Sequence, residues 1–141
     1  MKFTEHEFDQ AVEALEIFAV YAHGSQVSGT ARPDSDLDLA LLTDYAWSDA
    51  HFERQAEELC FIIAEAKGFP RERIQVQDLR NCPPHFRFRV LTTGVLLGVA
   101  DSTSLGRFQA RTYCENWDEK RRMEPMLKAF RQQIERGEFA S

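Results

Sequence analysis

The chain is 141 residues long, and its 17 basic and 23 acidic side chains leave a formal charge of −6. That length supports one domain with a real core and no second one, and the acidic balance argues against a sequence-independent grip on nucleic-acid backbones, so direct binding of long nucleic acid is not expected. No apolar run approaches a membrane span, the opening MKFTEHEFDQ lacks the apolar core of a secretion signal, and Cys60, Cys82 and Cys114 lack metal-site spacing and read as reduced structural thiols. The expected location is cytoplasmic.

In chain order, Thr4-Glu5-His6-Glu7 fits a capping box, and Phe8, Val12 and Leu15 follow at helical spacing, which predicts a helix from about residue 5 to 16. The apolar run 17–22 reads as the first strand. Gly24-Ser25 opens a turn with a brief helical segment over 25–29, and Arg32-Pro33-Asp34 leads into a second strand at about 36–42. Ser48 caps a helix over 49–67 that carries Phe52, Ala56, Leu59 and Ile63 on one face and ends at Gly68. Residues 73–79 read as the third strand. Pro83-Pro84 starts a helix bearing Phe86 and Val90 and stopped by Gly94, and residues 95–100 supply a last short strand.

From about 102 to 136 the pattern is helical, and Pro125 is expected to divide it into two pieces. The second piece carries Met123, Leu127, Phe130 and Ile134 as an apolar stripe, read as packing on its own domain with a partner surface as the minority alternative. The alternation of strands and helices predicts an α/β chain, residues 1–141, with its core at about 5–100 and C-terminal helices at about 102–136.

The segment HGSQVSGTARPDSDLDLALL concentrates the chemistry. A strand shows alternate side chains on one face, so Asp36 and Asp38 point together while Leu37 and Leu39 point to the opposite, buried face. Upstream, Gly24-Ser25 ends an apolar run in a turn whose backbone N–H groups can accept an anion. An anion cradle beside two carboxylates suits a magnesium nucleoside triphosphate, because Mg²⁺ prefers a few carboxylates plus phosphate oxygens. The plainer reading is two solvated carboxylates at a strand end, which leaves the Gly-Ser half of the pattern without a purpose.

Gly24-Ser25, ten intervening residues, then Asp36-x-Asp38, with Gly29 in the turn, Arg32-Pro33 before the strand and Ser35 before the first aspartate, resembles the signature of the DNA polymerase beta-like nucleotidyltransferase superfamily. Asp78-Leu79-Arg80 and Val90-Leu91-Thr92-Thr93-Gly94 add a resemblance to its minimal members, the MntA-like antitoxins paired with HEPN-type ribonuclease toxins. The resemblance implies an α/β (α+β) nucleotidyltransferase fold, a small mixed sheet flanked by helices. It implies that Asp36 and Asp38 are catalytic and bind two Mg²⁺ ions, that Gly24 and Ser25 contact the triphosphate, and that AMP passes from ATP to a tyrosine of the toxin and blocks RNA cleavage. The alternative, a nucleotide-binding module that occludes its partner, stays open, as does a homodimer.

One position departs from the family pattern. Where small members read an acid on the third strand, this chain reads Gln75, which can coordinate through its amide oxygen but has no charge and is a poor base. Gln75 is therefore the weak third-ligand position. Strand alternation places Gln75 and Gln77 on one face and Asp78 on the other, so Asp78 could substitute only through a bulge or a strand end.

Among the remaining polar residues, His23 reads as filling the strand end, with a phosphate contact as the alternative. Arg32 is a candidate phosphate partner. Arg87 and Arg89 alternate with Phe86 and Phe88, a pattern for which RNA stacking is a minor reading, and Lys120-Arg121-Arg122 reads as a solvated helix face.

Overall fold

Two hydrogen-bonded inner strands, buried on both faces, organise the chain. The computed structural model describes residues 2–29 and 35–135, without the side chains of Ser28, Glu119, Met126, Phe130, Gln133 and Ile134. Strands β1 (Ala19–His23) and β2 (Leu37–Leu42) pair antiparallel, from Ala19 opposite Leu42 to His23 opposite Asp38. Strand β3 (Ile74–Asp78) lies parallel to β2, and β4 (Val95–Val99) lies antiparallel to β1. The order β3-β2-β1-β4 makes a four-stranded mixed sheet.

Helices cover both faces. Against one face, α1 (Asp9–Ala14) and α3 (Asp49–Lys67) bring Val12, Phe52, Leu59 and Ile63 onto Val20, Ala22, Leu37, Leu39 and Leu41. Against the other, α4 (Pro84–Thr93) and α5 (Ser102–Glu135) bring Val90, Leu105 and Phe108 onto Ala19, Tyr21, Ala40 and Leu42. A period of two then fixes where the polar residues go: His23 continues the Ala19–Tyr21 row and Asp38 the Ala40–Leu42 row, so both face α4. A short helix, α2 (Ser25–Ser28), bridges β1 to the segment that precedes β2.

Helix α3 spans the residues expected of it, because both of its ends are chemically marked. The Ser48 hydroxyl accepts from the His51 amide at 3.1 Å, and Gly68 closes the helix with φ of 62°. Helix α1 is shorter than the expected 5–16. The Thr4 amide does donate to the Glu7 carboxylate at 3.2 Å, but the His6 and Phe8 amides donate to the Leu96 and Leu97 carbonyls at 2.9 and 2.7 Å. The turn is thus stitched to β4, His6 sits at φ 65°, and helix begins only at Asp9. The first strand likewise starts at Ala19, two residues late, after Glu16 takes φ 59°.

The C-terminal segment differs most from expectation. It is one helix through Pro125. An interior proline removes one hydrogen bond and crowds the previous turn, but the turns on either side of Pro125 keep their helical backbone and the helix continues. Leu105, Phe108 and Thr112 are buried, whereas Tyr113, Trp117, Met123 and Leu127 are exposed. The stripe therefore does not pack on its own domain at Met123 and Leu127; the side chains of Phe130 and Ile134 lie outside the described residues.

The three cysteines are free, and burial pushes the Cys60 thiol up to about 11, which suits an inert core position. No helix among the described residues is long and apolar enough to cross a membrane.

Leu39 is wholly buried between strands and α3, one residue from Asp38 and on the opposite face. Leu39→Ala is expected to lower unfolding stability by about 2–5 kcal/mol, through lost burial plus a residual cavity. Urea denaturation followed by circular dichroism measures it.

Candidate functional site

The end of β1 and the start of β2 come together on the α4 face, and a glycine sets how closely. Gly24 follows His23 with φ 82° and ψ −159°, a backbone region that only glycine enters without strain. A Cβ on this residue would lie 2.5 Å from Asp38 Oδ2. The turn thus presses its Cα against the Asp38 carboxylate, and no side chain fits between them. Ser25 begins α2, which ends at Gly29 with φ 82°.

The approach to β2 is held by hydrogen bonds to one carbonyl. Ser35 O accepts from Gln26 Nε2 at 3.0 Å and from the Arg73 guanidinium. Arg73 Nε also stands 3.8 Å from Asp36 Oδ1, whose side chain is 49% exposed. Asp38 is more enclosed, with His23 opposite it on β1 and Gln75 opposite it on β3. Burial raises the Asp38 carboxyl above its ordinary range, His23 opposes that shift, and the neighbouring Asp36 charge adds to it. Burial lowers His23, with Arg89 adding to the shift and Asp38 opposing it. The His23 ring meets Phe86 edge-on with centroids 5.5 Å apart, so it fills the strand end as expected, and its Nε2 is buried without a hydrogen-bond partner among the described residues.

A cavity of about 560 Å³ opens beside this pair, walled by His23, Gly24, Asp38 and Gln77 from the sheet side and Phe86, Arg89, Val90 and Thr93 from α4. The sequence reading missed the α4 wall. Its four residues stand at i, i+3, i+4 and i+7, one helix face, a signal that becomes readable once α4 is known to lie on the Asp38 side of the sheet.

The structure brings Gly24, Ser25, Asp36 and Asp38 to one corner of the molecule, whereas Arg32 lies outside the described residues. Gln75 is exposed and paired in register with Asp38, and β3 runs beside β2 without a bulge from Ile74 to Asp78. Asp78 accordingly points to the α3 face. There it accepts from the Arg80 guanidinium, at 2.8 Å from Nη2, from the Arg80 amide at 3.0 Å and from Asn81 at 3.1 Å. Arg87 is likewise occupied, donating to the Leu79 and Arg80 carbonyls at 2.9 and 2.7 Å. Among the described residues no three His, Cys, Asp or Glu side chains cluster to hold a metal ion. Two neighbouring carboxylates, Asp36 close enough for its charge to act on Asp38, still fit Mg²⁺, which completes its shell with water and substrate phosphates.

Residues 8–103 match the family model described as polymerase beta, nucleotidyltransferase. The chain belongs to this nucleotidyltransferase family. Among curated proteins none matches it in sequence. Its fold resembles a chain in a crystal structure of a toxin-antitoxin with AMP-PNP, at TM-score 0.60 and 19% identity over 86% of this chain and 93% of that one. It also resembles a chain of the toxin-antitoxin MntA-HepT, at 0.55 and 16% over 86% and 91%. A third likeness, at 0.55 and 16% over 86% and 90%, is to a tri-AMPylated Shewanella oneidensis HEPN toxin in complex with MNT antitoxin. At these identities the likeness is one of fold, and it agrees with the mixed sheet and flanking helices that the motif implied.

Two measurements probe the corner of this nucleotidyltransferase domain. Gly24→Ala is expected to cost about 1–3 kcal/mol from backbone strain, with a further loss from the clash with Asp38. In an Asp38→Ala background the clash portion should vanish and the strain portion persist, which a double-mutant cycle in urea reads directly. The second is a pH dependence. Because the folded state holds the Asp38 proton to higher pH than the unfolded chain does, its charge opposes folding at neutral pH. Asp38→Asn is therefore expected to be more stable than the native chain at pH 7, the two converging as the pH falls below about 4.

Proposed function

We propose that this chain is a Mg²⁺-dependent nucleotidyltransferase that moves AMP from ATP onto a HEPN-type toxin, acting as its cytoplasmic antitoxin within a single domain. Asp36 and Asp38 are its catalytic and metal-holding residues, Gly24, Ser25 and Arg32 contact the nucleotide, and Gln75 occupies the third-ligand position. The observation that carries the reading is the contact of Gly24 with the Asp38 carboxylate at the mouth of the cavity. It joins the two halves of the motif, an anion-accepting turn and an acidic strand, at van der Waals distance.

The chemistry follows from these residues. Mg²⁺ ions held by Asp36 and Asp38 would neutralise charge on the attacking and leaving oxygens of an in-line displacement. The turn at Gly24-Ser25 offers backbone N–H groups to phosphate oxygens. An acceptor hydroxyl oxygen bonds to the α-phosphorus, the bond to the β-phosphate breaks, and pyrophosphate leaves. The hydroxyl proton goes to solvent, since the Gln75 amide offers no basic atom. Family membership supports transferase chemistry, and the likeness to toxin-antitoxin structures, one with AMP-PNP and one with a tri-AMPylated toxin, supports the nucleotide and the partner.

A second reading rests on one observation, the neutral Gln75 in register with Asp38. In it the chain binds nucleotide and restrains its partner by occlusion. Incubation with a HEPN partner, Mg²⁺ and labelled ATP separates the two. Transfer predicts a mass gain on the partner that drops at least about 100-fold in Asp38→Ala, the loss of several kcal/mol of transition-state stabilisation. Inhibition of the partner without ATP, surviving Asp38→Ala, would establish occlusion. Gln75→Asp is expected to raise the transfer rate; an unchanged rate removes Gln75 from the third-ligand role.

A further inference from the structure

Helix α4 is anchored at both ends, to the turn that follows β3 and to β1. Near its start, Arg87 reaches back to the carbonyls of Leu79 and Arg80. At its end, Gly94 lies so close to β1 that a Cβ there would stand 3.0 Å from Ala22 O, besides meeting Val90 O of the helix's own last turn at 2.6 Å. The turn between these anchors carries Arg89, presented to the same cavity as Gly24 and Asp38.

Arg89 differs from the other arginines of this region. Arg71 is paired with Glu57, Arg73 with Asp36 and the Ser35 carbonyl, Arg80 with Asp78, and Arg87 with two carbonyls and Glu115. Among the described residues Arg89 has neither an ion pair nor a side-chain hydrogen bond, and its guanidinium stands 5.5 Å over the Phe86 ring. A guanidinium laid on an aromatic face keeps its in-plane N–H donors free, and those donors match the spacing of phosphate oxygens. The surrounding charge calls for such a group: the chain is acidic overall, and the cavity wall already holds Asp38. A polyphosphate entering beside Asp38 meets repulsion that backbone N–H groups alone offset only in part.

We infer that Arg89 binds the polyphosphate of the nucleoside triphosphate, on the α4 side of the cavity opposite the Gly24 turn, as a residue of this site outside the Gly-Ser and Asp-x-Asp motif. The inference rests on the nucleotidyltransferase reading above and adds to it a named cation on a different element. Phe86 acts here as a positioning residue, holding the guanidinium plane through ring contact.

Calorimetric titration of the full chain with ATP and with pyrophosphate, each with Mg²⁺, tests it in the native protein, Arg89→Gln and Arg89→Lys. The expected result is at least about tenfold weaker binding of both ligands by Arg89→Gln, with partial recovery in Arg89→Lys. Removing a cation–phosphate pair should also make the affinity fall less steeply with added KCl, a change that a purely structural role would not produce. Native-like affinity and salt dependence in Arg89→Gln would overturn the inference while leaving the nucleotide site in place. A native protein that binds neither ATP nor pyrophosphate would overturn both. Arg89 is exposed, and unchanged thermal melting of both variants is expected to accompany the loss of binding.

Discussion

Asp38 is a carboxylate partly sunk near the start of an inner strand, and the backbone beside it leaves no space for a side chain. That placement follows from the pleat of β2. Leu37, Leu39 and Leu41 must be buried against α3, so the residues between them face α4, where Ala40 and Leu42 continue a second core and Asp38 sits at its rim. On the β3 side, Arg73 is spent on Asp36 and the Ser35 carbonyl. Burial and the nearby Asp36 charge both disfavour the ionised form of Asp38, an arrangement that works against stability and that a bound cation would relieve. Such unrelieved electrostatic tension is a mark of sites kept for chemistry over packing.

What the sequence made legible was whatever is encoded locally. Helix α3 could be placed to the residue because Ser48 and Gly68 mark its ends, and β2 could be oriented because aspartates and leucines alternate within six residues. The parity argument that sent Asp78 away from Asp38 held for the same reason: β3 stays in register with β2 along its length. The rest depends on contacts distant in sequence. Helix α1 begins late because amides in its expected first turn bond to β4, some ninety residues away, and no cap signal reports that. The α4 wall of the cavity was invisible until the sheet order placed α4 over Asp38. Pro125 was read as a break because its effect on backbone is local, whereas continuity of α5 depends on the turns either side of it.

Asp78 shows how one acid can be claimed by packing. It holds Arg80, whose guanidinium also donates to the Asp44 and Trp47 carbonyls at 3.0 and 2.9 Å and stands 5.2 Å over Phe52. This network ties the end of β3 to the loop before α3. Moving Asp78 to the other face would require a bulge in β3 and would leave Arg80 without its carboxylate, so evolution of a third acid by that route would dismantle a structural joint.

On the proposed reading, the shortage of acid at Gln75 divides binding from turnover. Holding a triphosphate requires neutralising its charge, which two carboxylate-bound cations, the Gly24 turn and a guanidinium on α4 can share. Activating the acceptor hydroxyl requires negative charge or a base close to the attacking oxygen, and an amide supplies neither. The first requirement is therefore met by residues spread over β1, β2 and α4, so that losing any one leaves the others in place. The second falls on a single strand position, and a partner that aligns its own hydroxyl would have to make up by proximity what the missing carboxylate does not provide.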